Sequence, residues 1–169
     1  MTSKLKALID KGYKINLNKG DVVLYLGASH GVTAKIVSEM VGDEGFVYCL
    51  EVAPTVMKEL VKVCKANKNM APMLYDANKP ETYAKYIDKV DFIYQDLAQR
   101  NQINIFLKNA KRFLKEKGRF ILIVKASSID AVKPKKELIK ELNLPGYDYE
   151  IIDMEKTHKK HYAIIGRKK

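Results

Sequence analysis

The stretch "LYLGASHGVT", residues 24–33, runs from an apolar β-type segment through a glycine-flanked turn into residues that favour a helix. A strand that breaks at one glycine and restarts as a helix after another opens a strand–helix–strand unit. Its turn commonly wraps a ligand carrying adenosine. Gly27 permits the tight bend, and Gly31 lets the following helix sit close to that ligand. The spacing G-x-x-x-G is weak by itself, because glycines punctuate many strand ends. The loop does not end in G-K-[ST], which argues against a nucleoside triphosphate.

The same alternation continues outward from this turn. "VVLYL" (22–26), "FVYCLE" (46–51), "APMLY" (71–75), "DFIYQD" (91–96) and "RFILIVK" (119–125) are short β-rich runs. The continuously apolar ones suit central parallel strands covered on both faces. Helical patterns lie between them, over 31–41, 54–66 and 101–117. The last carries Ile103, Leu107 and Leu114 on one stripe and stops at Gly118. Strand–helix repetition with short connections implies right-handed crossovers and a doubly wound α/β sheet. A lysine-rich helix (134–142) follows, then "YDYEII" (147–152) and "HYAIIGR" (161–167), joined by the polar loop "DMEKTHKK". That pair predicts an antiparallel hairpin. Five parallel strands closed by a hairpin fit the Rossmann-like methyltransferase fold. A dehydrogenase would need a separate substrate domain, and a single domain over 1–169 leaves no residues for one.

Spacing strengthens the adenosine reading. Glu51 ends the second strand 20 residues beyond Gly31, where a carboxylate accepts the ribose hydroxyls in adenosine-binding folds. Asp76 follows the third strand in "LYDAN" and can accept from the exocyclic amine of adenine. Asp96 closes the fourth strand and offers negative charge to a sulfonium methyl donor. Each acid alone is also what a solvated strand end looks like.

The formal charge of +11 favours polyanions, nucleic acid before anionic membrane, although a lysine-rich surface without a partner gives the same number. Only Arg100, Arg112, Arg119 and Arg167 among the 31 basic residues carry the planar fork that reads base edges. Phosphate contact is therefore favoured over sequence readout. No apolar stretch reaches the length of a membrane span and the N-terminal residues lack a signal-peptide block, so the expected location is cytoplasmic. Cys49 in a strand and Cys64 in a helix read as buried thiols, not as a disulfide framework or metal ligands.

"VLYLGASHGVTAKIVSEMVGDEGFVYCLEVAPTVMKEL" (23–60), "DFIYQDLAQRNQINIFLKNA" (91–110) and "KASSID" (125–130) together resemble the fibrillarin family, in its archaeal form. The block "YQDLAQRNQ" (94–102) is the distinctive part, and the likeness runs from Ser3 to Arg167. The resemblance implies a seven-stranded, mostly parallel sheet with a C-terminal antiparallel hairpin and no metal. It implies S-adenosylmethionine-dependent 2′-O-methylation of rRNA or tRNA in a box C/D ribonucleoprotein. The implied partners are a box C/D guide RNA, the target RNA, a Nop-type scaffold protein and a kink-turn-binding ribosomal-type protein.

Carried over by position, the resemblance implies cofactor contacts at Gly27, Ala28, Gly31, Val32 and Thr33 in the first loop and at Glu51 and Val52 beyond the second strand. It adds Asp76 and Ala77 after the third, and Asp96, Leu97, Ala98 and Gln99 after the fourth. It also implies a catalytic set of Lys4, Asp96, Lys125 and His161, with Lys125 accepting the proton, Asp96 orienting it, and Lys4 and His161 positioning the ribose. A 2′-hydroxyl is a poor nucleophile, so such an enzyme mainly needs alignment and a proton acceptor. A lysine in cationic, buried surroundings suits the second task.

The chain departs from the family's loop, usually near G-A-A-S-G-T-T, at Ser29, His30 and Val32. Val32 lacks a hydroxyl for the cofactor, and His30 adds a titratable ring. Val52 stands where an aromatic is frequent, and Ser127 where a basic residue is. The family's small N-terminal domain is not expected in this chain. Two other readings stay open: a non-catalytic RNA-binding subunit of the same fold, and a free-standing small-molecule methyltransferase.

Overall fold

The structure, a computed structural model, describes residues 3–169. Seven strands form one sheet: β1 Val22–Leu26, β2 Phe46–Glu51, β3 Met70–Leu74, β4 Val90–Leu97, β5 Leu114–Lys125, β6 Tyr147–Asp153 and β7 His161–Lys168. Their spatial order is β3-β2-β1-β4-β5-β7-β6. Neighbours are parallel except at β7, which runs antiparallel to both β5 and β6. The last strand thus sits inside the sheet, not at its edge. The helices are α1 Lys4–Asp10, α2 Val32–Val41, α3 Pro54–Lys65, α4 Gln102–Phe113, α5 Ala126–Ile129 and α6 Lys135–Lys140.

Because successive side chains on a strand point to opposite faces, the central strands feed two separate cores. Val23 and Tyr25 of β1 join Tyr94 and Ile123 on one face, covered by Leu5 and Leu8 of α1, Val37 of α2 and Leu60 of α3. Leu24 and Leu26 join Ile93 and Leu122 on the other, covered by Ile105, Phe106 and Phe113 of α4. Burial on both sides is why "VVLYL" and "FILIV" are unbroken apolar runs.

Most boundaries move by one or two residues from the sequence reading, and two of the differences are instructive. β3 begins and ends one residue earlier than expected, at Met70–Leu74. The helix expected to reach residue 117 ends at Phe113, and Leu114 already pairs with Val90 as the first residue of β5. The stop is a strand pairing, not a glycine cap. Wholly buried Leu114 is drawn into the sheet, the register shifts between Val90 and Phe92, and Lys117 takes a φ of 60°. Gly118 then packs so closely that a Cβ there would lie 2.7 Å from Leu114 Cδ1 and from the Lys115 carbonyl oxygen.

Candidate active site

The carboxyl ends of β1, β2 and β4 carry the expected cofactor elements. Gly27 has a φ of 86°, and a Cβ on it would lie 2.5 Å from the backbone oxygen of Asp96, so no side chain fits. Its N–H and that of Ala28 both donate to the Leu50 carbonyl at 3.0 Å, which closes the turn over β2. Gly31 also meets a neighbouring helix. Its φ is 87°, and the space of its missing Cβ faces Leu60 and Val63 of α3 at 3.1–3.2 Å, so the close approach is between helices.

Glu51 organises the loop. Its Oε1 accepts from the Val52 and Ala53 N–H groups at 2.8 and 2.9 Å, and its Oε2 accepts from Ser29 N–H at 2.9 Å. The last bond holds Ser29 in the left-handed region, at a φ of 50°. A carboxylate offers about four lone-pair sites, so Oε2 keeps capacity for a hydroxyl. Asp76 Oδ1 accepts from the backbone and side-chain N–H of Asn78. The Asn78 amide also donates to Gln99 Oε1 at 3.0 Å and accepts from Asn101 at 2.6 Å. The tips of β3 and β4 are thereby joined by a polar network.

A cleft of about 430 Å³ opens beside the first loop, within the range of small-molecule sites. Of the expected cofactor residues, Gly27, Ala28, Val32, Thr33 and Asp96 line it, together with Ser29 and His30. Gly31, Glu51, Val52, Asp76, Ala77, Leu97, Ala98 and Gln99 lie outside that lining, Glu51 acting on it through its bond to Ser29. Val52 is 50% exposed, so its side chain remains available to pack on a ligand.

Tyr25 lines the cleft too, and the sequence reading missed it. The signal was present: it stands two residues before Gly27 on the strand, hence on the same face. Its ring meets Tyr94 edge-on, with centroids 4.7 Å apart. Burial first and the Asp96 carboxylate second push its phenol well above the ordinary value, so it stays neutral. Ser3, also missed, lines the cleft and caps α1 by accepting from Lys6 N–H.

The four expected catalytic residues gather on one face of the sheet. Asp96 pairs across the parallel ladder with Ile123, Lys125 follows Ile123 by two residues, and Lys125 pairs with His161 of β7. Equal parity puts all three side chains on the face that carries α1. From α1, Lys4 Nζ donates to both oxygens of Asp96 at 2.8 and 3.2 Å, closing a contact between residues 92 apart in sequence. Burial is the main cause that lowers the His161 imidazole below its ordinary value, and the nearby Lys4 ammonium works in the same direction. His161 Nδ1 and the Lys159 carbonyl lie 2.8 Å apart.

One expected contact differs. The Asp96 carboxylate is engaged by Lys4, and no hydrogen bond joins it to Lys125 among the described residues. The cause is register. Asp96 stands opposite Ile123, so Lys125 lies two residues, roughly 6–7 Å, further along the neighbouring strand.

No group of three or more His, Cys, Asp or Glu side chains suited to a metal ion occurs among the described residues. Cys49 and Cys64 are buried free thiols, and the Cys49 thiol is pushed up by its hydrogen bond with Cys64 and by burial.

The family model described as fibrillarin matches residues 1–169. The fibrillarin-like rRNA/tRNA 2′-O-methyltransferase of Methanocaldococcus jannaschii is 45% identical over 170 residues, a match spanning 97% of this chain and 74% of that protein. A crystal structure of a fibrillarin/Nop5p complex superposes with a TM-score of 0.92 at 37% identity, covering 99% of this chain and 81% of that one. Aeropyrum pernix fibrillarin with natively bound S-adenosyl-L-methionine gives a TM-score of 0.85 at 34% identity, covering 96% and 74%.

Proposed function

The chain belongs to the fibrillarin family, and from that premise we propose that it carries out guide-RNA-directed 2′-O-methylation of ribosomal and transfer RNA. It acts as a single methyltransferase domain in the cytoplasm. It is an S-adenosylmethionine-dependent methyltransferase. The observation that carries the site assignment is the Lys4–Asp96 pair at the cleft, with Lys125 and His161 on the same face.

The cleft suits the cofactor. Gly27 leaves its backbone bare where a Cβ would strike Asp96, and three acids stand at successive strand tips. Gly27, Ala28, Val32 and Thr33 hold the donor along the first loop, with Glu51 and Val52 toward its ribose and adenine and Asp76 and Ala77 toward the base. Asp96 through Gln99 serve its methionine end, and Gly31 shapes the loop from behind. When bound, S-adenosylmethionine supplies an activated methyl group to a nucleophile aligned with it.

The protein's own task is therefore alignment and proton removal. Asp96 neutralises and fixes Lys4, which with His161 positions the ribose. The Asp96 carboxylate is taken by Lys4, and no ion pair involves Lys125 among the described residues, which leaves its Nζ to face the ribose. Lys125 accepts the hydroxyl proton.

The matched fibrillarin/Nop5p complex supports a Nop-type scaffold as partner. A box C/D guide RNA and a kink-turn-binding ribosomal-type protein complete the assembly in this reading. No helix among the described residues is long and apolar enough to cross a membrane.

Mass spectrometry of a guided RNA substrate tests the function: 2′-O-methylated nucleotide is expected with the full assembly and not with the protein alone. Methylation without guide or scaffold would overturn the guided reading. Lys125→Ala should lower transfer by roughly 10²-fold or more while calorimetry shows cofactor affinity largely unchanged. Equal loss of both would remove Lys125 from the acceptor role.

A further inference from the structure

Two glutamines, Gln95 and Gln102, are wholly buried in the largely apolar layer on the far face of the sheet from the catalytic set. Their contacts form a chain that ends on Lys125. Gln102 Oε1 accepts from the Lys125 backbone N–H at 3.0 Å, and Gln102 Nε2 donates to the Lys125 carbonyl at 3.1 Å and to the Gln99 carbonyl at 2.8 Å. Gln95 Nε2 donates to the Gln102 carbonyl at 2.7 Å and so fixes the first residue of α4.

The need for this arrangement follows from the ladder. The last parallel pair between β4 and β5 is Leu97 with Val124. Ala126 N–H donates to Lys160 on the β7 side, so by alternation Lys125 turns its N–H and carbonyl toward the β4 side, where β4 has ended. Left alone, both groups would be unpaired at a half-buried strand end, at a cost of about 1–3 kcal/mol each. The Gln102 carboxamide presents one acceptor and one donor, as a strand would, and replaces the missing partner.

We propose that Gln102 is a positioning residue for Lys125, holding the strand end from which that lysine reaches the ribose, with Gln95 holding Gln102. This rests on Lys125 as proton acceptor. The clamp sits beneath the sheet, outside the cleft lining, and its two bonds to the Lys125 backbone outnumber its one to the Gln99 carbonyl, so its loss falls on the rate of transfer more than on cofactor binding.

The test uses the full chain in its assembly. In Gln102→Met, hydrogen exchange at the Lys125 amide should accelerate while other β5 amides keep their protection. Single-turnover transfer at saturating cofactor should fall on the order of 10²-fold, as expected of a displaced catalytic group, with a much smaller loss of cofactor affinity. Gln102→Glu keeps the acceptor and donates only when protonated. Burial raises that carboxyl pKa, so the ratio of variant to parental rate should climb as pH falls. An unchanged Lys125 amide, or an unchanged rate once that amide has lost protection, overturns the proposal. Should Gln102→Met not fold, a pH-independent rate ratio in Gln102→Glu overturns it equally. A parental protein without transfer would count against the enzyme reading, whereas the exchange result judges the clamp directly.

Discussion

At the scale of single residues, the site depends on conformations and charges that few substitutions leave intact. Gly27 combines a φ of 86° with a 2.5 Å approach to the Asp96 carbonyl. Gly27→Ala should cost at least ~1–3 kcal/mol of stability and displace the loop from β4, abolishing cofactor binding. Thermal melting and calorimetry on one preparation check both. His161 gives a pH-dependent signature. Its folded value is lowered below the ordinary 6.5, chiefly by burial, so the unfolded chain takes up a proton first as pH falls. Stability from this group is therefore complete above that ordinary value and is lost on going down toward the lowered one. An NMR titration of the imidazole should place its midpoint under that of a denatured control. His161→Gln should flatten the acid limb of the stability curve.

At the scale of elements, α1 shows how a short helix can carry a catalytic group. It has only seven residues, too few to persist alone, and is held by Leu5 and Leu8, which are essentially inaccessible to solvent. Leu5→Ala should destabilise the protein by ~2–5 kcal/mol in urea titrations. It should also slow transfer more than Lys6→Ala, which touches only the exposed Asp10. The strands and the hairpin were legible because their period and length are local properties. The end of α4 was not: "LKEK" reads as helix, and only Val90, far away in sequence, turns Leu114 into a strand residue. The four-residue α5 has no room for periodicity. In the site, the acids at the strand tips could be read from spacing. Lys4 and His161 could be reached only through the family likeness, because a helix packing and an inserted strand bring them in. Gln102 left no periodic trace, being one polar side chain beneath a sheet.

For the whole molecule, the surplus of positive charge is partly spent internally. In "KPKKELIK", Lys133 pairs with Glu141, and Lys135 bonds Asp153 and Glu155 and lies over the Tyr162 ring. Lys136 and Lys140 form no ion pair among the described residues, so the helix offers phosphate fewer free cations than its sequence suggests. If they contact backbone phosphate, Lys136→Ala and Lys140→Ala should each weaken RNA binding evenly across sequences. Each should also reduce the slope of log affinity against log salt by about one. Filter binding over a salt series measures it.

The inward position of β7 has a consequence for biosynthesis. While the ribosome has delivered the chain only as far as residue 160, β5 lacks its antiparallel neighbour, and an apolar edge from Arg119 to Lys125 lies open to any passing strand. The polypeptide cannot mature progressively from its leading end. Its centre is sealed by the strand that emerges after the other six, so the sheet closes only once residues 161–168 have been delivered.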